Sequence, residues 1–130
     1  MSARRERKRG VHENLNKALS ALERSVAAPV LEPRDRSGII KDFEIVYELS
    51  WKALKEHLAH QGHETGTARQ VFQTAYQLGV IANEETWLRC IEDRNNTVHT
   101  YNEGMAAEMC ERIGSLYLPE FRQLAQALAA

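Results

Sequence analysis

The sequence predicts an all-α protein, an up-and-down bundle of four to five helices. No stretch of its 130 residues alternates apolar and polar side chains as a half-buried strand does. Apolar residues instead recur every three or four positions in five segments, the spacing of amphipathic helices. Prolines, glycines and short polar turns separate these segments, and short connections favour antiparallel neighbours.

Length and composition fit one domain. A chain of 130 residues with 43% hydrophobic and 27% charged residues buries roughly two-thirds of its unfolded surface. No apolar run approaches the ~18 residues of a membrane-spanning helix, and no apolar segment follows the basic N-terminus. We therefore expect neither a membrane span nor a signal peptide, and a cytoplasmic location.

Charge is distributed unevenly along the chain. Five of the 17 basic residues but one of the 18 acidic residues precede residue 10, so the rest carries a net charge of −5. We interpret residues 1–10 as a basic flexible tail and residues 11–130 as a single bundle domain. An acidic domain does not bind nucleic acid by general phosphate neutralisation, so any RNA contact must be local or made by the tail.

The second predicted helix carries the widest apolar face. A first helix runs from Val11 to about Ala28, and the second begins at about Arg34 or Ser37 and ends at Gln61. The residues of this apolar face are Ile39, Ile40, Phe43, Val46, Tyr47, Leu49, Trp51, Ala53, Leu54 and Leu58. Its opposite stripe is Lys41, Glu44, Glu48, Lys52 and Lys55, with Glu48 and Lys52 spaced for a helical ion pair. So wide an apolar face predicts the central helix of the bundle, or one that also faces a second subunit.

Local signals bound the remaining helices. Thr67 and Gln70 form a capping box for a third helix that ends at Leu78. Its predicted apolar face is Val71, Phe72, Ala75 and Leu78. Asn83 is expected to cap a fourth helix. The fifth is predicted after Asn102 and Gly104, running towards Ala130, with a kink or restart at the residue before Pro119. Its predicted inward residues are Met105, Met109, Ile113, Leu116 and Leu118.

Cysteines and histidines give no metal prediction. Cys90 and Cys110 lie among apolar neighbours and are expected to be buried free thiols. His57, His60 and His63 have no carboxylate or cysteine at a spacing that completes a metal site, and histidines at a helix C-terminus are favourable without a metal. No metal or cofactor is therefore expected.

Residues 94–101 form a polar segment between core residues. On a regular helix Arg94 and His99 would point about 140° apart. Either the helix breaks near Val98, or the two side chains meet across a dimer. Both arrangements place His99 near a helix end, where an imidazole can titrate near neutral pH.

An arginine and a histidine in one cleft suit RNA cleavage. The guanidinium can hold a phosphate, the imidazole can transfer a proton, and RNA supplies its own 2'-hydroxyl nucleophile. The structural alternative is that Arg94 pairs with Glu92 or Asp93 and His99 caps a helix. Spacing alone does not decide between these interpretations.

Three blocks together carry a family resemblance. They are residues 42–52, residues 79–81 followed by residues 85–88, and residues 94–103. In this order and spacing the chain resembles the nucleotidyltransferase substrate-binding family, a branch of the HEPN superfamily, over about residues 11–128. The resemblance implies a dimeric HEPN-type bundle and a partner, a minimal nucleotidyltransferase.

The same resemblance implies roles for three residues. Arg94 and His99 match the Arg-x4-His motif of metal-independent ribonucleases at a dimer interface. Under this ribonuclease hypothesis we assign Asn95 as a supporting hydrogen-bond donor or orienter. Tyr101 matches the tyrosine to which a nucleotidyltransferase antitoxin transfers AMP, silencing a ribonuclease toxin. Two alternatives stay open: a non-catalytic subunit that binds substrate or nucleotide for the transferase, and a structural bundle with a decayed site.

Overall fold

The computed structural model describes residues 3–99 and 102–129, with side chains from residue 10 onward. These residues form helices and turns and contain no strand. The α-helices are α1 (Ala3–Ala27), α2 (Pro33–His60), α3 (Ala68–Gln77), α4 (Glu84–Asn95), α5 (Glu103–Arg112) and α6 (Leu118–Ala129). A 3₁₀ turn spans Thr97–His99, and a π-helical turn, Ile113–Tyr117, joins α5 to α6. The predicted all-α bundle is confirmed.

Helix α2 is the centre of the bundle. It packs against α1, α3, α5 and α6, while α4 packs against α3 and the π-helical turn. Its residues Phe43, Val46, Leu54 and Leu58 are fully buried. The wide apolar face of α2 therefore packs against several neighbouring helices at once, as its width predicted.

Aromatic side chains from most of these helices meet in one core. Phe72 of α3 stacks on Trp87 of α4 with ring centroids 4.6 Å apart. Phe43 of α2 stacks on Tyr117 at 5.6 Å, and Phe121 of α6 contacts both Phe43 and Trp87. Offset and edge-on ring pairs add to the free energy of apolar burial, so this cluster fixes α4 against α2 and α6.

The N-terminal helix is longer than predicted. It begins at Ala3 rather than at Val11, so helical backbone extends into residues 3–10. The division into a flexible tail and a domain at residue 10 stays a prediction. No helix in the described part of the chain is both long and apolar enough to span a membrane.

The predicted capping box of α3 is present, and Asn102 caps α5. Thr67 Oγ1 accepts a hydrogen bond from the Gln70 amide at 3.2 Å, and Gln70 Oε1 accepts one from the Thr67 amide at 3.2 Å. Asn102 Oδ1 accepts from the Met105 amide at 2.9 Å and begins α5. At α4 the side chain of Asn83 makes no capping bond; it donates instead to Glu120 of α6 at 2.9 Å.

A π-helical turn accommodates Pro119. Proline has no amide hydrogen for the helical ladder, and the helix restarts at Leu118, the predicted residue. The Leu118 amide bonds to the Ile113 carbonyl, five residues back. A turn with i→i+5 bonds continues the inward face of Ile113 at Tyr117 and Leu118. Leu116, predicted to point inward, is therefore 36% exposed.

Three further apolar residues are more exposed than the sequence predicted. Met105, in the first turn of α5, is 39% exposed, and Leu78, at the C-terminal end of α3, is 44% exposed. Both lie at helix ends, where fewer neighbouring helices cover a side chain. Cys90 is buried as expected, whereas Cys110 is only partly buried.

Candidate functional site

The helix α4 ends within the polar segment. It stops at Asn95, and the 3₁₀ turn that follows carries His99. Of the two arrangements that the spacing left open, a helix break is present, at Asn95 rather than near Val98. Thr100 and Tyr101 lie outside the described residues, so the position of the predicted AMP acceptor stays a prediction.

Backbone hydrogen bonds explain the change from α-helix to 3₁₀ turn. The Asn96 amide is shared between the carbonyls of Glu92 and Asp93, at 3.0 and 3.1 Å. A shared amide of this kind tightens the last turn of a helix. The His99 amide then bonds to the Asn96 carbonyl at 2.9 Å. Asn95 and His99 both have exposed side chains.

Arg94 points towards α2 and pairs with two of its carboxylates. Its Nη1 lies 3.2 Å from Glu44 Oε2, and its Nε lies 3.9 Å from Glu48 Oε1. The side chain is 28% exposed. Glu92 and Asp93, the partners considered from the sequence, make no ion pair with Arg94 among the described residues. The acids that do pair belong to the charged stripe of the second predicted helix.

Thr97 joins the same cluster from the 3₁₀ turn. Its Oγ1 lies 3.0 Å from Glu44 Oε2 and 2.9 Å from the carbonyl oxygen of Arg94. Arg94 Nη1 lies 3.4 Å from this hydroxyl. Thr97 is 7% exposed, so a buried hydroxyl links α2 to the turn. Sequence reasoning gave Thr97 no separate role.

Glu48 is shared among several donors. Trp51 Nε1 donates to Glu48 Oε2 at 3.1 Å, and Lys52 Nζ lies 3.9 Å from the same oxygen, as their helical spacing predicted. Arg94 Nε is buried and has no hydrogen-bond partner among the described residues. The Arg94 guanidinium is therefore held by a close contact with Glu44 at Nη1, and only by the charge of Glu48 at Nε.

Arg94 and His99 line two different hollows. A groove of about 370 Å³ is lined by Lys41, Glu44, Ile45, Glu48, Leu49 and Arg94. A smaller cleft of about 220 Å³ between α4 and α5 is lined by Asp93, Asn96, His99, Met105, Glu108, Met109 and Arg112. Asn95 lines neither of them. The single chain thus brings together neither Arg94 with His99 nor Asn95 with either of them in one hollow.

A second polar network anchors α4 beside the His99 cleft. Arg112 of α5 donates to the Asp93 carboxylate from Nε at 2.7 Å and from Nη2 at 3.1 Å. The Tyr117 hydroxyl also donates to Asp93. The hydrogen bond with Asp93 raises the pKa of Arg112. Burial, followed by the bond to Asp93, raises the pKa of Tyr117. Neither partner of Asp93 was identified from the sequence, because each lies about twenty positions away without a helical pattern that relates them.

The histidines and cysteines elsewhere form no second site. His60 Nε2 lies 3.5 Å from Glu56 Oε1, one helical turn earlier. No group of three His, Cys, Asp or Glu residues in the described ranges is arranged to hold a metal ion. Burial raises the pKa of the Cys90 and Cys110 thiols. Neutral, partly or fully buried thiols are poor nucleophiles.

Comparison with known sequences gives two matches. Residues 11–130 match the sequence profile of the family described as nucleotidyltransferase substrate binding protein like. A curated relative from Haemophilus influenzae, named probable ribonuclease HepT, is 30% identical over 98 residues, which are 67% of each chain.

The chain also resembles solved structures, among them proteins from Thermus thermophilus and Haemophilus influenzae. A Thermus thermophilus protein aligns with a TM-score of 0.75 at 30% identity, over 88% of this chain and 95% of that one. A Haemophilus influenzae protein, described as having the fold of a substrate-binding domain of a nucleotidyltransferase, aligns with a TM-score of 0.83 at 26% identity. That alignment covers 92% of this chain and 99% of the other.

Proposed function

The chain belongs to the nucleotidyltransferase substrate-binding family, and on that premise we propose that it is a metal-independent endoribonuclease that acts as a dimer. The observation that carries this proposal is the end of α4 between the two motif residues. Arg94 is held on α2 by carboxylates, whereas His99 follows on an exposed turn. A fixed phosphate ligand and an exposed imidazole are the two groups that this chemistry requires.

The proposed reaction uses the nucleophile that RNA carries. The 2'-hydroxyl oxygen attacks the adjacent phosphorus, and the bond from phosphorus to the 5' oxygen of the next nucleotide breaks. The products are a 2',3'-cyclic phosphate and a 5'-hydroxyl, so the proton lost by the nucleophile is balanced by the proton gained by the leaving oxygen. His99 transfers one of these protons. Arg94 stabilises the charge on the non-bridging phosphate oxygens, and Asn95 supports them as a hydrogen-bond donor.

A second copy of the chain supplies the missing proximity. Since Arg94 and His99 line separate hollows, a symmetric dimer can place the arginine of one copy against the histidine of the other. Exposed apolar side chains lie beside both residues. Ile45 lines the Arg94 groove and is 43% exposed, and Val98, next to His99, is 70% exposed. Their burial in an interface would favour this dimer.

The proposed module includes a nucleotidyltransferase that acts as antitoxin in the cytoplasm. The phenolic oxygen of Tyr101 attacks the α-phosphorus of ATP, pyrophosphate leaves, and the phenolic proton is released. The AMP adds bulk and a negative charge two positions after His99. A negative charge repels RNA phosphate, so the modification would silence the nuclease. The relative named probable ribonuclease HepT supports the nuclease half of this proposal.

RNA cleavage tests the proposed activity. Wild-type protein should cut single-stranded RNA, and His99→Ala should lower the rate by about 10²- to 10⁴-fold, the usual contribution of a general acid or base. His63→Ala is the matched control, because His63 is also exposed but lies in the loop after α2. The nuclease proposal is wrong if wild type and His99→Ala leave RNA equally intact and are equally harmless when expressed without a partner.

A second candidate is a non-catalytic subunit that binds substrate or nucleotide for the transferase. The groove that carries Lys41 and Arg94 favours it, because two cationic side chains suit a nucleotide phosphate. A solved structural neighbour is also described as such a domain. This candidate predicts nucleotide binding that Lys41→Ala weakens, in a protein that leaves RNA intact.

A further inference from the structure

We propose that Glu44 is a positioning residue that holds two arms of the dimer's nuclease sites: the Arg94 guanidinium, which serves one composite site, and the turn carrying His99, which serves the other. This inference rests on the proposed ribonuclease function. Glu44 lies on α2, 53 positions before Thr97 in the chain. It is held in place by the packing of the central helix and not by the polar segment itself.

One oxygen of Glu44 contacts both arms. Its Oε2 lies 3.2 Å from Arg94 Nη1 and 3.0 Å from Thr97 Oγ1. The first contact is charge-assisted and therefore stronger than a bond between neutral groups. Because the two donors share an acceptor, the position of the guanidinium and the position of the 3₁₀ turn are set relative to the same point on α2.

The contact with Glu44 fixes one nitrogen of the guanidinium. Glu44 engages Nη1, whereas Nε is buried and has no hydrogen-bond partner in the described part of the chain. Glu48 Oε1, at 3.9 Å from Nε, is beyond hydrogen-bond reach. Glu44 is therefore the carboxylate that anchors the arginine, since Glu48 acts on Nε by charge alone.

Thr97 transmits this anchoring to His99. It is the first residue of the 3₁₀ turn and is 7% exposed. Its hydroxyl lies within hydrogen-bond distance of Glu44 and of the Arg94 carbonyl. His99 follows two residues later and is tied to the same turn by its amide bond to Asn96. Because the turn is so short, a displacement of Thr97 also displaces His99.

Two opposing contributions decide whether loss of the Glu44 contact slows or speeds RNA cleavage. A carboxylate beside Arg94 repels an incoming phosphate, but Glu44 and Arg94 are about a third exposed, where solvent and salt screen that repulsion. Misplacement of a reacting group by about 1 Å costs about 100-fold in rate. Loss of the Glu44 contact is therefore expected to slow cleavage, and chiefly through kcat.

The test is steady-state cleavage of a single-stranded RNA oligonucleotide by the full chain. Glu44→Gln and Thr97→Val are each expected to lower kcat by about tenfold, with KM changed less than about threefold. Thr97→Ser keeps the hydroxyl and should cleave at close to the wild-type rate.

The double variant Glu44→Gln/Thr97→Val should have a kcat little lower than that of either single variant, because both substitutions remove the same link. Glu56→Gln, a carboxamide exchange on the same helix at a residue that contacts His60, is the matched control.

The outcomes separate this inference from the function on which it rests. If wild type cleaves RNA and His99→Ala does not, but Glu44→Gln and Thr97→Val retain the wild-type kcat or exceed it, the positioning role alone is wrong. An equal loss in Thr97→Ser and Thr97→Val also overturns it, since the hydroxyl then has no part. If wild type leaves RNA intact, both the nuclease and the positioning role fall. Should Glu44→Gln not fold, the two Thr97 variants decide.

Discussion

Arg94 and His99 are five positions apart but line different hollows, the first on the α2 side of α4 and the second between α4 and α5. The end of α4 at Asn95 separates them. A catalytic pair must approach the same phosphate within a few ångströms to act together. The proposed site therefore combines the arginine of one copy with the histidine of another.

Mixing two inactive variants tests this arrangement. Arg94→Ala and His99→Ala dimers, allowed to exchange subunits, form a mixed dimer in which one composite site is intact. Since random exchange makes half of the dimers mixed, cleavage should return to about a quarter of the wild-type rate. Activity no higher than that of either variant alone would place both residues of a site on one chain.

Loss of the Asp93 network should lower stability more than loss of a surface pair. Asp93→Ala leaves Arg112 and Tyr117 without their acceptor, so the free energy of unfolding should fall by about 2–4 kcal/mol. Urea denaturation measures the change. Glu23→Gln is the matched control: its pair with Arg122 is half exposed and should cost less than about 1 kcal/mol. Equal losses in the two variants would contradict a structural role for the network.

The stability of the protein should decline in alkali. Burial raises the pKa of Cys90 above the ordinary thiol value of 9.0, and that of Tyr47 above 10.0. The folded state then keeps protons that the unfolded state releases, so stability is complete below pH 9 and falls as pH rises further. Each such group lowers the free energy of unfolding by up to about 1.4 kcal/mol per pH unit.

Urea denaturation under reducing conditions, repeated across this range, checks the slope. Cys90→Ala should make the decline shallower, and Cys110→Ala should do so less, because Cys110 is only partly buried. A slope that Cys90→Ala leaves unchanged would show that this thiol does not contribute.

Modification of Tyr101 is a separate prediction. Incubation with the cognate nucleotidyltransferase and ATP should raise the mass of the intact protein by one AMP group for each transfer. RNA cleavage should fall in proportion to the modified fraction. Tyr101→Phe removes the acceptor oxygen and should show neither change, whereas Tyr76→Phe, at an exposed tyrosine of α3, is the control. An adduct that persists in Tyr101→Phe would place the modification elsewhere.

The sequence predicted what depends on neighbouring residues. Helix periodicity revealed the central α2, the Thr67 capping box began α3, and Pro119 marked the restart of the last helix. The wide angle between Arg94 and His99 on a regular helix predicted either a helix break near Val98 or a meeting of the two side chains across a dimer. Each of these signals is contained within a few turns of chain.

Contacts between distant segments were not predictable in the same way. Glu44 was placed on a charged stripe, but nothing local shows that this stripe receives Arg94 and Thr97 from α4 and its turn. The pairing of Arg112 with Asp93 likewise depends on how α5 packs beside α4. Such partners follow from tertiary packing, which periodicity does not specify.

The chemical ends of the RNA fragments test whether the protein is a metal-independent nuclease. Wild-type protein should cleave RNA in the presence of a chelator and leave 2',3'-cyclic phosphate and 5'-hydroxyl ends, because the 2'-hydroxyl is the nucleophile. His99→Ala, purified in parallel, should leave the same RNA intact. Cleavage that the chelator abolishes, fragments with 5'-phosphate ends, or equal cleavage by His99→Ala would contradict a metal-independent nuclease built on Arg94 and His99.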